Sequence, residues 1–484
     1  MEEINVEQIT KRSIRGIFAL TSRTFFLQII TFAGNFLLTV LLSPSSFGVF
    51  FVVSAAIAFL SYFSDIGLAA ALIQKKEAIT EEDLKTTFTI QQVMVVTIVI
   101  IALLSSKFIG SFYHLNGMGV SLFQALALSF FFSSLKTIPS ILLERDLKFE
   151  KLVIPEIVET LFFNVTAVVL AFKGFGISSF TYAVLARGLS GLIAIYIISP
   201  WKIGFGFYKK CASKLLSFGI PFQVNSFLAL IKDDLFLAYL GKALPLAQVG
   251  YIGFAQKWAF TPLSLIMDNV IRITFPSFSR LQEKKDLLKR AIEKSIYAAC
   301  FLIFPLLVGL VLLSPYFIRL IPRYVKWEPA LLSLAFFSIN AALSSVSTPL
   351  TNALNAIGKI KTTLYLMIFW TIATWVLTPL AIFFFGFNGV AIASAVISLS
   401  VVIVVYLVKR HIDFDLTRTI SSPLLGSVVM ALAIYFLSPI MVKSVISLIL
   451  MVFVGAVIYF LTILLFARKQ LIEDIKLVKE NIRN

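Results

Sequence analysis

The sequence predicts an all-α polytopic membrane protein with about fourteen spanning helices. Hydrophobic residues make up 59% of the 484 and charged residues only 14%, and mean hydropathy is +0.95. The apolar residues also fall into runs that match or exceed the roughly 20 residues a helix needs to cross hydrocarbon. A water-soluble fold has too little interior to hide so much apolar surface. Runs of this length also lack the alternation of a membrane barrel.

In chain order the runs cover 16–42, 47–73, 88–106, 118–143, 152–172, 177–199, 215–240, 246–276, 291–313, 328–354, 362–385, 388–408, 422–440 and 443–466. Most are longer than a perpendicular crossing requires, so tilting or kinking is expected. Residues 1–14 are polar, and the run after them is too long for the apolar core of a cleaved signal. Pro139, Pro155, Pro221, Pro262, Pro276, Pro305, Pro349 and Pro379 fall in or beside spans. Each removes a helix hydrogen bond and permits a bend.

Loop cations set the orientation. The even-numbered gaps and the two ends hold 29 of the 42 Lys and Arg, and the odd-numbered gaps hold seven. Cytoplasmic loops collect Lys and Arg, so both termini are expected in the cytoplasm and the number of spans is even. Two helices are expected to lie along the membrane surface. One is the highly charged segment 280–296. The other is the tail, where Leu471, Ile475, Val478 and Ile482 share one helical face.

The chain shows signs of internal duplication. Phe47-Gly48-Val49-Phe50 opens the second span and Val249-Gly250-Tyr251-Ile252 opens the eighth. Gly174-Phe175-Gly176 joins spans five and six, as Gly386-Phe387-Asn388-Gly389 joins eleven and twelve. Two same-orientation six-helix lobes follow, residues 1–205 and 206–414. Residues 415–484 then hold spans thirteen and fourteen and the amphipathic tail. Parallel repeats of this kind are a common transporter plan.

Several classes are disfavoured. Net charge is +17, but the topology accounts for it without nucleic acid. Cys211 and Cys300 form no CxxC, and His114 and His411 are the only histidines, so no metal or other cofactor is indicated. Neither a phosphate-cradling GxxxxGK[ST] nor an HExxH occurs. Outer loops are short, which counts against an enzyme such as a membrane glycan polymerase or ligase.

The informative residues are charges inside spans. Clear of the span ends, six cations (Arg23, Lys136, Arg187, Lys232, Lys257, Arg272) and six acids (Asp65, Glu156, Glu159, Asp233, Asp234, Asp268) fall there, all within the first eight spans. Each would cost on the order of 3 kcal/mol at the bilayer centre, so they must pair or face water. Lys136 is expected to pair with Glu156 or Glu159, and Asp268 shares a helix face with Arg272.

The sequence resembles the polysaccharide transporter (Wzx-type flippase) branch of the multidrug/oligosaccharidyl-lipid/polysaccharide exporter superfamily. The resemblance runs along nearly the whole chain. It rests on Arg12-Ser13, Leu42-Ser43-Pro44-Ser45-Ser46-Phe47-Gly48, Ser64-Asp65-Ile66-Gly67-Leu68, Glu144-Arg145-Asp146-Leu147-Lys148-Phe149 and Asn355-Ala356-Ile357-Gly358-Lys359. It implies two lobes around a central cavity, alternating access, and a location in a bacterial or archaeal plasma membrane. The implied cargo is an undecaprenyl-pyrophosphate-linked oligosaccharide, flipped from the cytoplasmic to the outer leaflet by a monomer that works alongside membrane lipids and glycan polymerase machinery. On that reading Arg23 and Arg272 hold the pyrophosphate, with Arg187 and Lys257 higher in the path. Asp65 and Asp268 complete the binding set and are candidates to exchange H⁺ or Na⁺. Gln28, Asn35, Gln223, Asn225, Gln256 and Asn269 are expected to hydrogen-bond sugar, with Lys232, Asp233 and Asp234 also lining the cavity. Two alternatives remain at this point, a cation-coupled drug antiporter of the same superfamily and a glycan polymerase or ligase.

Overall fold

The computed structural model describes residues 26–64, 67–75 and 77–466. Among the described residues every regular element is a helix. In chain order these are α1 (Phe26–Leu41), α2 (Pro44–Tyr62), α3 (Leu68–Gln74), α4 (Glu81–Phe112), α5 (Gly117–Leu135), α6 (Thr137–Arg145), α7 (Phe149–Phe172), α8 (Ser178–Ile198), α9 (Lys209–Leu230), α10 (Phe236–Ala243), α11 (Leu246–Leu281), α12 (Lys285–Leu320), α13 (Leu331–Ala356), α14 (Ile360–Phe385), α15 (Asn388–Ser398), α16 (Val401–Lys409), α17 (Leu416–Met441) and α18 (Val445–Phe466). Eleven helical segments among the described residues are long and apolar enough to cross a membrane. Predicted spans one, seven and eight correspond to α1, to α9 with α10, and to α11. The chain divides into two compact units, Met1–Gly250 and Tyr251–Asn484.

Within the first unit, several predicted spans are interrupted. The second breaks between α2 and α3, where Gly67 takes φ +69° and its α-carbon lies against Gly219 of α9. A side chain there would need a left-handed backbone and would strike the Gly219 carbonyl, 2.4 Å from an ideal Cβ. The fourth span breaks at Lys136, which ends α5 and begins α6. Pro139 lies just beyond, where it supplies no N–H and its ring crowds the carbonyl four residues back. The seventh changes to a π-helical turn, Ile231–Leu235, between α9 and α10. Apolar packing of Leu68, Leu72, Phe88, Ile138, Ile141 and Leu215 ties α3, α4, α6 and α9 together.

Polar clamps secure the ends. Arg145 donates to the carbonyls of Leu72 (2.8 Å), Lys75 (2.7 Å) and Glu77, closing the exposed C-terminal end of α3. Asp83 is 2% exposed and accepts from Lys75 Nζ at 2.5 Å and from Thr80 N and Oγ1 at 2.9 Å each. Burial favours its neutral acid, but the Lys75 ammonium and the two Thr80 donors outweigh it and hold the carboxyl at about 2.

The internal duplication has a physical counterpart in this unit. A Cβ on Gly48 would meet the Leu246 carbonyl oxygen at 1.7 Å, and one on Gly250 would meet the Pro44 carbonyl oxygen at 2.0 Å. Each glycine therefore packs on the carbonyl four residues before the other. The opening turns of α2 and α11 cross reciprocally, backbone against backbone.

In the second unit, α12 differs from the surface helix expected over 280–296. It runs unbroken from Lys285 to Leu320, and its charged first turns extend the ninth span. Leu288, Ile292 and Ile296 are buried against Leu350, Leu354, Val404, Val408 and Phe414, so the apolar face that suggested a lipid surface is used for packing. Span twelve breaks at Leu399-Ser400 between α15 and α16, where Trp370 Nε1 donates to Ser400 Oγ at 2.8 Å. The amphipathic tail, 471–482, lies outside the described residues.

Gly250→Ala and Gly48→Ala are expected to cost about 1–3 kcal/mol each through backbone overpacking. Gly309→Ala, with nothing within 4 Å of its Cβ, should be neutral. Thermal unfolding of the detergent-purified chain separates these outcomes.

Candidate functional site

Among the described residues a polar cavity stands in the first unit and a polar stripe in the second. In the first unit a cavity of about 320 Å³ opens among α1, α6, α7 and α8, lined by Leu27, Lys136, Ser140, Leu152, Pro155, Glu156, Glu159, Thr160, Arg187 and Ile195. The break before α6 delivers Lys136, and α7 delivers Glu156 and Glu159 from successive turns. Glu159 Oε1 accepts from Lys136 Nζ, while Oε2 lies 3.6 Å from Arg187 Nε on α8. Side-chain exposure is 14% for Lys136, 11% for Glu159 and 57% for Arg187. The Lys136–Glu159 pair anticipated from the sequence is therefore formed, with Glu159 as the partner. Gly191 makes room for it, since a Cβ there would lie 2.0 Å from Glu159 Oε1. Among the described lining residues two cations and two carboxylates balance.

In the second unit α11 carries a polar stripe. Lys257, Thr261, Ser264, Asp268 and Arg272 follow at intervals of 4, 3, 4 and 4, which at 3.6 residues per turn confines them to an arc of about 80°. Lys257, Ser264, Asp268 and Arg272 are exposed. On other faces of α11, Met267 packs against Ala299, Ile303, Leu307 and Ala341, and Ile252, Ala255 and Ala259 are also buried. From Lys257 to Arg272 the stripe rises about 22 Å, most of the roughly 30 Å hydrocarbon thickness. Asp268 and Arg272 share the expected face but form no ion pair. Among the described residues no opposite charge neutralises Lys257, Asp268 or Arg272. Such a charge facing lipid would cost on the order of 3 kcal/mol at the bilayer centre and less toward either interface, so the exposed stripe calls for a wet surface.

The remaining predicted residues fall elsewhere. Lys232, Asp233 and Asp234 lie on the π-helical turn, with Lys232 Nζ 3.5 Å from Asp233 Oδ1. Such turns are frequent at functional sites, and nothing in the sequence marked this one. Gln28 is half-buried on α1, and Asn35 donates to its own helix at Thr31 O, 2.7 Å. Gln223 Nε2 donates to Tyr62 O at 3.1 Å while Tyr62 Oη donates to Gln223 O at 2.5 Å, a reciprocal pair that joins α2 to α9. Gln256 is exposed beside Lys257, and Asn269 donates to Leu265 O at 2.8 Å. Arg23, Asp65 and the side chain of Asn225 lie outside what the structure describes. Sequence reasoning missed Ser140, Thr261, Ser264 and Gly191. Helical spacing from Asp268 would have found Thr261 and Ser264, whereas no local signal announces Gly191.

The described helices form a membrane bundle whose fold is that of a solved lipid flippase. The chain is similar to the solved structure of the lipid II flippase MurJ in an inward closed conformation, with a TM-score of 0.76, 16% identity, and coverage of 93% of this chain and 99% of that one. The family model described as polysaccharide biosynthesis protein matches residues 37–331, more than half of the sequence, and the chain belongs to that family. The succinoglycan biosynthesis transport protein ExoT of Rhizobium meliloti is 23% identical over 97% of this chain and 95% of its own length. The lipopolysaccharide biosynthesis protein WzxC of Escherichia coli is 24% identical over 65% of this chain and 64% of its own. The resemblance to the polysaccharide transporter branch thus holds.

Removing one member of the buried pair strands a charge. Lys136→Met is expected to cost about 3 kcal/mol, and the double variant Lys136→Met/Glu159→Leu should recover more than half of it. Denaturant unfolding followed by tryptophan fluorescence measures both.

Proposed function

We propose that this protein flips a polyprenyl-pyrophosphate-linked oligosaccharide, with undecaprenyl as the prenyl chain, from the cytoplasmic to the outer leaflet for cell-surface polysaccharide synthesis. The observation that carries the reading is the α11 stripe, a track of charge and hydroxyl about 22 Å long that hydrocarbon cannot solvate. A pyrophosphate and its sugars need such a wet track, while the prenyl tail stays in lipid. The family description and the names of ExoT and WzxC support glycan cargo, and the MurJ-like fold supports a lipid carrier.

In the mechanism, two six-helix lobes, residues 1–205 and 206–414, alternate access to the two sides, and spans thirteen and fourteen follow. Arg272 holds the pyrophosphate as a bidentate, charge-assisted fork near the inner mouth, and Lys257 receives it higher along α11. Arg23, Arg187, Asp65 and Asp268 complete the set, and Gln256 and Asn269 hydrogen-bond sugar hydroxyls. The work is binding and release, with no covalent step and no enzyme activity. The excess of cations on one side, 29 against seven, supports fourteen spans in the plasma membrane with both termini in the cytoplasm. Moving about two negative charges outward is favoured by roughly 4–5 kcal/mol per 100 mV of inside-negative potential. That drive can serve with or without exchange of H⁺ or Na⁺ at Asp268.

Arg272→Ala and Lys257→Ala should each abolish complementation of a flippase-null strain at normal membrane abundance, and Arg272→Lys should restore part of it. Full complementation by both alanine variants would remove the α11 stripe from the transport path.

A further inference from the structure

In the first unit's cavity Lys136 and Arg187 both turn toward one carboxylate, Glu159, so an anionic headgroup must compete with it for a cation. The geometry shows which cation is free to change partners. Glu159 is shared unequally. Its Oε1 is bonded to Lys136, a pair with side chains 14% and 11% exposed. Its Oε2 is 3.6 Å from Arg187 Nε, beyond hydrogen-bonding range. The Arg187 side chain is 57% exposed, and a loose contact to so exposed a group is worth little. One turn along α8 from Arg187, Gly191 leaves a slot that Glu159 fills. A Cβ at Gly191 would come within 2.0 Å of Oε1. The same helix thus carries both the guanidinium and the seat for its carboxylate neighbour. The cavity beside them, about 320 Å³, is at the small end of ligand sites, suited to a diphosphate group and too small for a glycan.

We infer that Glu159 is an internal stand-in for the cargo's phosphate: it neutralises Arg187 between cargo molecules and yields the guanidinium to a diphosphate headgroup, while Lys136 holds the carboxylate in its slot. This inference rests on the flippase reading. Arginine suits the exchange because its planar fork meets a phosphate bidentately, at shorter range and greater strength than a 3.6 Å contact to a carboxylate.

The test uses the full chain in nanodiscs. It is titrated calorimetrically with inorganic pyrophosphate, or reconstituted with a polyprenyl pyrophosphate in the bilayer. Arg187→Ala should weaken binding about tenfold and Glu159→Gln should strengthen it about tenfold, the gain vanishing in the double variant. Glu156→Gln removes the same charge from the same cavity and should change binding by no more than about twofold. Because Glu159→Gln leaves Lys136 without its counter-charge, Glu159→Asp serves as a second variant. It keeps the charge but withdraws the carboxylate from Arg187, and should tighten binding about threefold. Equal gains from Glu156→Gln and Glu159→Gln would reduce the effect to bulk charge and overturn the inference. A gain that survives Arg187→Ala, or no gain in either Glu159 variant while Arg187→Ala still weakens binding, would overturn it and leave the cavity as an anion site. No loss on Arg187→Ala would remove Arg187 from the proposed transport path and the inference with it. Tighter binding of the prenyl-linked form assigns the site to the lipid headgroup. Equal binding of both forms assigns it to free pyrophosphate and overturns the cargo role.

Discussion

Hydrocarbon does not solvate charge, and the arrangement of this protein follows from that fact. Twelve ionisable residues were placed in spans by the sequence, and each has to be paired or wetted. Among the described residues both solutions occur. Lys136 and Glu159 close into a buried pair with a slot cut for the carboxylate at Gly191. The α11 stripe instead leaves Lys257, Asp268 and Arg272 unneutralised along one face, with the apolar faces of the helix packed into the second unit. The first arrangement can be sealed, whereas the second calls for water along α11.

The helix interruptions obey a related constraint. Backbone groups released from a helix inside a membrane need partners or water, so breaks belong next to protein or polar space. The break at Gly67 packs against α9, with the end of α3 closed by the Arg145 guanidinium. The break at Lys136 opens directly onto the polar cavity, and Pro139 explains why the helix yields there. The π-helical turn coincides with Lys232, Asp233 and Asp234. In each case the irregular backbone and the polar side chains occupy the same place, as expected of elements that line a path or form a joint.

Much of the fold was legible because membrane crossing is written in long, one-dimensional runs. The predicted spans correspond to helices, and the pairing of Lys136 with a span-five acid followed from depth along each run. The cavity was harder, because it depends on three-dimensional neighbours. Gly191 matters only because Glu159 lies across from it, and Gln223 reads as a free amide until its Nε2 is seen to donate to the Tyr62 carbonyl. The segment 280–296 was misread for a similar reason. An amphipathic pattern reports one apolar face and does not say whether lipid or protein covers it. Here α13 and α16 do. The α11 stripe was half-legible, since Asp268 and Arg272 stood out as charges while Thr261 and Ser264, on the same arc, did not.

Sequence duplication and structural asymmetry meet at Gly48 and Gly250. The two glycines occupy equivalent places in repeated motifs, and each accepts the carbonyl four residues before the other. Neither motif alone requires a glycine, since a helix N-terminus tolerates most residues there. The requirement appears only when two copies of one motif cross. The charges follow the opposite rule. Away from span ends they lie in the first eight, while charges in the last six, such as Glu293 and Lys294 of α12, keep to the ends, so the polar load of the duplicated scaffold is distributed unequally. Packing symmetry costs little to preserve, because both copies use the same backbone contact. Charge placement answers to the proposed cargo, whose anionic headgroup on an apolar tail is itself asymmetric. A scaffold with one strongly polar helix such as α11, flanked by largely apolar neighbours, fits that division between headgroup and tail.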